Sequence, residues 1–360
     1  MTGYERNRQA MRRLYERKSG ILVTCEWYAG VYANQLESLD DREREFEVQL
    51  ARYRMQADAA AEGFANVPTV YFDFGRVAWL MALAYGCPMI RINGLVNAEP
   101  LYRTLEEAEA FRPIPRIWER GLYPEIFSRI EAFQERHPEI PITISDNQSP
   151  NDVLTSILKS DEAMVAMVTD GDRLHEMLGI LTDSIIEVNR RMETVIRNFA
   201  GFSCDRYLPF GMHVSDDNAA FLSPEAYAEF SVPYAGRLAD AFGGLAYHCC
   251  MGQQQNLALM ASTRGFLGFD AMPDFNPVDR ILSAIGGKGV WNVCNHEYAT
   301  LAERKTRIPD EAWFRDLIDR ARGRCGLLLN VYHPERESAL RLAASVLEHA
   351  ERTTGQAVSP

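Results

Sequence analysis

The chain has 360 residues, of which 47% are hydrophobic and 24% charged, and its formal net charge is −12. Lysine and arginine form no basic stripe, so the composition argues against a nucleic-acid partner. No apolar run approaches the ~20 residues that span a bilayer, and the N-terminus is too polar for a signal peptide. The seven cysteines are an odd, scattered set, which is typical of free thiols in a reducing compartment. We therefore expect a cytoplasmic protein with no membrane partner.

A short apolar run, a polar turn and a longer helical pattern recur along the chain. Residues 1–20 predict an N-terminal helix. Strands are predicted at residues 21–27, 67–74, 140–147, 211–217, 244–250, 265–272, 289–295 and 326–332. Several of these runs are almost continuously apolar, as strands buried on both faces are. Such strands alternating with helices predict a parallel sheet.

The helices between the later strands carry clear start and stop signals. Residues 161–199 predict two helices divided near Asp170 and Gly171. Ser223 is placed to cap the following helix, with Pro224 at its first position, and Asp310 is placed to cap a helix over 309–324.

The pattern favours an α/β fold of the (β/α)8 TIM-barrel type. The alternative is an open doubly wound sheet, but no Gly-x-Gly-x-x-Gly turn follows any predicted strand. One barrel can use the whole chain, so residues 1–360 are predicted to form a single domain. The stretch 75–139 is rich in aromatic residues and proline, and it predicts an insertion between early strands that resembles a lid.

Polar side chains collect where the predicted strands end. The carboxyl ends of barrel strands meet on one face, so these side chains are expected to line one pocket. A single acid at a strand end commonly caps the next helix, but so many strand ends with acids, thiols or imidazoles predict a functional site. They are Glu26, Trp27, Asp73, Asp146, His213, Asp216, Asp217, His248, Cys250, Asp270, Cys294, Tyr332 and His333.

The sharpest signal is the sequence His248-Cys249-Cys250. Residues i and i+2 of a strand point to the same side, so His248 and Cys250 can reach one ion while Cys249 faces the helix layer. Imidazole and thiolate are ligands that zinc prefers, and a catalytic zinc takes about three protein ligands. The third ligand is expected from another strand end, either His333 or Cys294, with His296 as a more distant candidate. The alternative interpretation is a hydrogen-bonded core histidine beside two buried thiols.

Three segments resemble the uroporphyrinogen decarboxylase superfamily. GMHVSDDNAAFLSPEAYAEFSVPYAGRLADAFGGLAYHCCMG at 211–252 resembles its central block, where an Asp-Asp strand end precedes a Ser-Pro-Glu helix and a strand ending in His-x-Cys-Gly. Residues 146–190 resemble the preceding stretch, and GLLLNVYHPERES at 326–338 resembles the last strand and the turn after it. The resemblance implies a (β/α)8 barrel with a deep mouth.

The chain is closer to one branch of that superfamily than to the other. True uroporphyrinogen decarboxylases use no metal and carry an Arg-Gln-Ala-Gly-Arg motif, whereas this chain has CEWYAGVYAN in the comparable region. The other branch comprises zinc-dependent methyltransferases that work with corrinoid proteins and bind zinc through His-x-Cys and a later Cys. That resemblance implies His248 and Cys250 as ligands. Met251 replaces the usual Gly, and His333 stands at the later Cys position, which leaves Cys294 as the alternative ligand.

The function that this branch implies is zinc-dependent methyl transfer. The methyl group would move between a small methylated substrate (methoxy, methylamine or thiol) and a partner protein carrying a corrinoid (cobalamin). Acids that would orient substrate or carry a proton are Asp216, Asp217, Glu26 and Asp146. Substrate-binding residues are expected among Trp27, Asp73, His213, Asp270 and Tyr332.

Two other functions remain open at this stage. One is a metal-free decarboxylase, a carboxy-lyase, acting on a uroporphyrinogen-like or other carboxylated substrate, with Arg76, Arg91 and Arg206 supplying positive charge. The other is a barrel that binds a small metabolite or corrinoid without catalysis. The expected assembly is a monomer or a homodimer.

Overall fold

A computed structural model describes residues 2–27, 35–74, 77–92, 95–144, 147–202, 207–294 and 310–355. The strands are β1 Gly20–Trp27, β2 Met89–Ile92, β3 Leu95–Ala98, β4 Ile142–Thr143, β5 Asn147–Gln148, β6 Phe199–Gly201, β7 Met212–Ser215, β8 Leu245–Cys249, β9 Phe266–Ala271, β10 Val290–Cys294 and β11 Gly326–His333. The α-helices are α1 Gly3–Arg17, α2 Gln35–Asp40, α3 Arg42–Ala61, α4 Leu80–Ala84, α5 Tyr123–Arg136, α6 Pro150–Ile157, α7 Ser160–Thr169, α8 Gly171–Val195, α9 Pro224–Phe230, α10 Val232–Phe242, α11 Leu257–Met260, α12 Val278–Ile285, α13 Glu311–Ala321 and α14 Arg336–Thr354. Short 3₁₀ helices span Glu107–Ala110, Ile117–Glu119 and Asp217–Ala220.

Seven strands form one parallel sheet in the order β1-β11-β10-β9-β8-β7-β5. The first and last long strands are therefore neighbours, and they pair over their whole length from Gly20↔Gly326 to Trp27↔His333. Adjacency of the chain's two ends is what a closed barrel requires and what a doubly wound sheet lacks.

Further hydrogen bonds continue from β1 around to β7. The amide of Ala65 donates to the carbonyl of Val23, 2.9 Å, and Val70 pairs with Ile142 of β4 as an isolated parallel bridge. β4 pairs with β6, and Phe202, directly after β6, pairs with Met212 of β7. These links complete the circuit, and the fold is the predicted (β/α)8 TIM barrel.

The early strands are less regular than the sequence predicts. Within the predicted strand 67–74, Val70 alone makes a bridge, and the predicted strand 140–147 is divided into β4 and β5. The pattern also missed β6. This strand lies between β4 and β7 at their amino-terminal ends, whereas β5 pairs directly with β7 at the other end. The stretch 75–139 holds the antiparallel hairpin of β2 and β3, with Ile92 and Leu95 about half exposed. Its role as a lid stays a prediction.

The predicted helix signals are confirmed. The Ser223 hydroxyl accepts from the amide of Ala226, 3.2 Å, and the Asp310 carboxylate accepts from the amide of Trp313, 3.3 Å. Helices α7 and α8 are divided at Asp170, as predicted. Among the described helices, none combines the length and apolar composition that crossing a membrane requires.

Helix α1 closes the amino-terminal end of the barrel. Its apolar face buries Met11, Leu14 and Tyr15, and these side chains pack in one cluster with the barrel residues Leu22 and Leu328. This apolar floor seals the bottom, so access to the barrel interior is left to the carboxyl ends of the strands.

A buried ion pair holds the backbone at the end of the predicted strand 67–74. The Arg129 guanidinium on α5 lies 2.8 Å from the Glu45 carboxylate on α3, and both side chains are at most 3% exposed. Glu45 also accepts from the amides of Asp73 and Phe74, at 3.2 and 2.7 Å. Burial raises the pKa of Glu45, and the hydrogen bond from Arg129 acts in the opposite direction. Arg129 therefore offsets part of the cost of burying the Glu45 carboxylate, whose oxygen holds the backbone of Asp73 and Phe74.

We expect Arg129→Met to lower the free energy of unfolding by about 3–5 kcal/mol, because it leaves a buried carboxylate without its cation. The matched control is Arg136→Met on the same helix, whose partner Glu43 is 2.6 Å away but about half exposed. An exposed pair of this kind contributes about 0–1 kcal/mol. Urea denaturation measures both, and equal losses in the two variants would contradict the assignment.

Candidate metal centre

The strand register brings most of the predicted site residues to one end of the barrel. Trp27 pairs with His333 and Glu26 with Tyr332, while His248 pairs with both Ser215 and Asp270. All of these residues lie at or next to the carboxyl ends of their strands, as the parallel topology dictates. Asp146 and the side chain of Cys294 lie outside the part of the chain that the structure describes.

Three side chains that could bind a metal converge at this end: Asp217, His248 and Cys250, with one potential ligand atom of each within 4.8 Å of the others. The His248 Nε2 and Cys250 Sγ atoms are 2.9 Å apart. His248 is only 5% exposed, whereas Cys250 is exposed and Asp217 half-buried. A carboxylate, an imidazole and a thiol are all zinc ligands, so the group can hold a metal ion on a side open to the mouth.

The imidazole of His248 is oriented by a buried acid. Its Nδ1 lies 3.1 Å from Oδ2 of Asp270, which is 4% exposed. A carboxylate at Nδ1 favours the tautomer with the proton on Nδ1, which leaves the Nε2 lone pair facing Cys250. Asp270, predicted as a substrate-binding residue, therefore orients an imidazole of the candidate metal group.

Asp217 is held by hydrogen bonds from two directions. Its Oδ1 accepts from the amide of Cys250, 2.8 Å, which ties the turn after β7 to the end of β8. The amides of Asp217 and Asn218 donate to the carboxylate of Asp152, at 2.8 and 2.9 Å. The start of the 3₁₀ helix is thus clamped, and the Asp217 side chain is directed to the His248–Cys250 pair.

Asp216, the residue before Asp217, is a buried acid outside the three-residue group. Its two carboxylate oxygens accept from the hydroxyls of Ser149 and Tyr227, at 2.9 and 2.5 Å, and it is 1% exposed. Burial raises the pKa of Asp216 to about 6. Burial, together with the charges of Asp216 and Asp217, also raises the pKa of Asp152. Asp216 was predicted to be catalytic. In the structure, both of its carboxylate oxygens accept hydrogen bonds from Ser149 and Tyr227.

The two cysteines occupy different environments, as the strand alternation predicts. The Cys249 side chain is completely buried, its sulfur lies 3.9 and 3.7 Å from the carbonyl oxygens of Asp217 and Met251, and burial raises its pKa. Cys250 is exposed beside His248. The second cysteine is therefore the one that belongs to the site.

His333 is not part of this group. It ends β11, which is separated from β8 by β9 and β10, and its Nδ1 accepts from the amide of Glu335 at 3.0 Å. Within the described residues, the third side chain beside His248 and Cys250 is Asp217 instead. Asp217 reaches this group because the hydrogen bond from the Cys250 amide to its carboxylate holds the turn after β7 against the end of β8.

The other predicted residues surround the mouth at different depths. Trp27, Asp73 and Tyr332 are buried, at 9%, 1% and 6% exposure. Glu26 is half-buried, and so is His213, whose ring centroid lies 6.1 Å from that of His248. Sequence reasoning missed Asp152, because an acid in the first turn of a helix after Ser149 and Pro150 is normally a capping residue.

A barrel with a candidate metal group at the carboxyl ends of its strands is the class of protein that this fold and site define. Residues 69–290, more than half of the chain, match the family model described as uroporphyrinogen decarboxylase (URO-D). The chain belongs to this family. No curated protein matches it at the sequence level. Among solved structures it is similar to a methyltransferase from Methanosarcina mazei, with 15% identity, a TM-score of 0.66 and coverage of 98% of this chain and 99% of that one.

We expect Cys250→Ser to weaken zinc binding by more than about 100-fold, since changes in the partners of a ligand alone cost about 10- to 100-fold. Cys249→Ser is the matched control: it replaces the adjacent sulfur, which lies on the other side of the strand, and zinc affinity should stay within a few-fold. Titration of zinc into metal-free protein against a competing chelator measures both. Equal losses in the two variants would mean that the thiol acts through packing.

A separate pair of variants decides the third ligand. Asp217→Ala should weaken zinc binding about as strongly as Cys250→Ser, because it removes a carboxylate from the group. His333→Ala should leave the affinity nearly unchanged, since its imidazole lies outside the group. The same chelator competition applies, and the reverse order of effects would assign the ligand to His333.

Proposed function

We propose that this protein is a zinc-dependent methyltransferase that moves a methyl group between a small methylated substrate (methoxy, methylamine or thiol) and a corrinoid protein. The observation that carries the proposal is the convergence of Asp217, His248 and an exposed Cys250 at the mouth of the barrel. Membership of the family and the likeness in fold to a methyltransferase support it.

The donor set fits zinc better than a metal that prefers oxygen ligands. Mg²⁺ and Ca²⁺ select carboxylates, carbonyls and water, whereas a thiolate beside an imidazole suits zinc. The orientation of His248 by the Asp270 carboxylate is the arrangement that zinc-binding histidines usually have. When bound, zinc would act as a Lewis acid on the heteroatom that carries or accepts the methyl group.

The chain's own residues hold and shield this group. Asp270 keeps the His248 lone pair directed to the site, and Asp152 holds the turn that presents Asp217. The exposure of Cys250 leaves one side open, which is where a substrate would approach. Glu26 is half-buried at the same end of the barrel, and we expect it to accept or return a proton.

An apolar rim beside Cys250 supports the docking of a partner protein. Three large hydrophobic side chains are exposed on the loops after β7, β8 and β9: Phe221 at 64%, Met251 at 43% and Phe275 at 47%. Their loops are joined, because Gln255 donates to carbonyls on both sides of Phe221 and Asn276 donates to the carbonyl of Met251. An exposed apolar cluster around a mouth fits contact with a second protein, here the corrinoid carrier.

Of the three arginines predicted to serve a metal-free decarboxylase, the structure describes Arg91. Such a site needs cations to hold substrate carboxylates. Arg91 lies on the β2–β3 hairpin, 45% exposed, and makes two hydrogen bonds to the Asp40 carboxylate, each 3.0 Å. Arg76 and Arg206 lie outside the described residues.

The proposal is tested by assaying methyl transfer between free cobalamin, as a stand-in for the carrier, and a panel of methyl ethers, methylamines and methyl thioethers. We expect methylcobalamin to form from cob(I)alamin with at least one donor class, to stop after removal of zinc by a chelator and to resume on adding zinc. The visible absorption spectrum follows the corrinoid. Transfer at an unchanged rate after zinc removal, or release of carbon dioxide from a carboxylated substrate by metal-free protein, would contradict the proposal.

A further inference from the structure

Polar side chains line the inside of the barrel next to the metal group. On four adjacent strands they are Asp270 of β9, Asn292 of β10, Asn330 of β11 and Glu26 of β1, which we call the polar arc. Asp270 and Asn292 line one small cavity, of about 10 Å³, and Glu26 and Asn330 line another, of about 20 Å³. The arc begins beside the metal group, because Asp270 contacts the imidazole of His248.

Two members of the polar arc hold unsatisfied acceptors. Asn292 is 6% exposed and Asn330 is 3% exposed, and the Oδ1 atom of each is buried without a hydrogen bond to any described residue. Native proteins rarely leave a buried acceptor in this state, and a water molecule or a ligand usually satisfies it. Both residues sit in otherwise apolar strands, where a polar side chain has no role in the core.

The cavities offer acceptors and negative charge. Glu26 and Asp270 are carboxylates, and the asparagine atoms that lack partners are carbonyl oxygens. Two further polar neighbours have partners of their own: the Thr24 hydroxyl donates to the carbonyl of Leu329, 3.3 Å, and the Asn66 amide bonds with the backbone of Cys25 in both directions. Within the described part of the chain, no lysine or arginine lines either cavity.

A ligand that fits this lining must donate hydrogen bonds and carry positive charge. A cavity of this size admits a group about as large as a water molecule. An ammonium group meets all three conditions, whereas a carboxylate or a sulfonate would face the like charges of Glu26 and Asp270.

We propose that the polar arc binds an ammonium group of the substrate, so that the substrate is a small amine. This inference rests on the proposed function, whose substrate range it narrows. An ammonium nitrogen has no lone pair for a metal, so it is a binding group distinct from the heteroatom that carries the methyl group. Asn330 and Glu26 hold it at one end of the arc, and Asn292 and Asp270 are placed to hold it nearer the metal group.

The test is calorimetric titration of zinc-depleted protein with ethylammonium, ethanol and acetate at constant ionic strength. We expect saturable binding of ethylammonium and none of ethanol or acetate. Asn330→Leu should weaken ethylammonium binding by about tenfold or more, because it removes an acceptor, while Asn330→Asp should retain or tighten it. Glu26→Gln should also weaken it, whereas Glu337→Gln, at an exposed position on α14, should not.

Thermal unfolding shows whether each variant remains folded. If folded wild-type protein binds no ethylammonium, the cavities hold only water and the inference is wrong. If it binds acetate equally well, the lining does not select an ammonium group and the inference is wrong as well. The same follows if Asn330→Leu binds ethylammonium like the wild type. The measurement needs neither zinc nor cobalamin, so its failure is distinguishable from failure of methyl transfer.

Discussion

The site depends on one hydrogen bond, from the amide of Cys250 to the carboxylate of Asp217, 2.8 Å long. It joins the end of β8 to the turn after β7 and so brings together residues from two neighbouring strands. Strand geometry alone supplies His248 and Cys250, but this bond supplies the third side chain. The clamp from Asp152 makes the arrangement rigid by fixing the backbone that carries Asp217.

The same region concentrates negative charge that the fold must accommodate. Asp152, Asp216 and Asp217 lie close together, and burial raises the pKa of the first two. A divalent cation beside Asp217 would favour the ionised forms of all three, because opposite charge offsets the cost of desolvation. The acids that support the turn and the metal that we propose are therefore mutually stabilising.

The barrel and the His248–Cys250 pair could be predicted from the sequence because both depend on local periodicity. Apolar runs define the later strands, and the alternation of side chains separates Cys250 from Cys249. Asp217 as the third member could not be predicted, since it depends on a turn closed by a backbone hydrogen bond. β6 was missed because a strand of three residues shows too little of the alternating pattern. The predicted strand 67–74 is irregular because its backbone amides donate to side chains of α3 instead of pairing with a neighbouring strand.

The most direct measurement is zinc K-edge X-ray absorption on the purified, zinc-loaded protein. We expect a zinc coordinated by one sulfur atom, with nitrogen and oxygen atoms as the remaining ligands, since Cys250 is the group's one thiol and Cys249 is buried away from it. Two sulfur ligands would bring a second cysteine, such as Cys294, into the site in place of Asp217. A spectrum without sulfur would remove Cys250 from the metal and contradict the central claim.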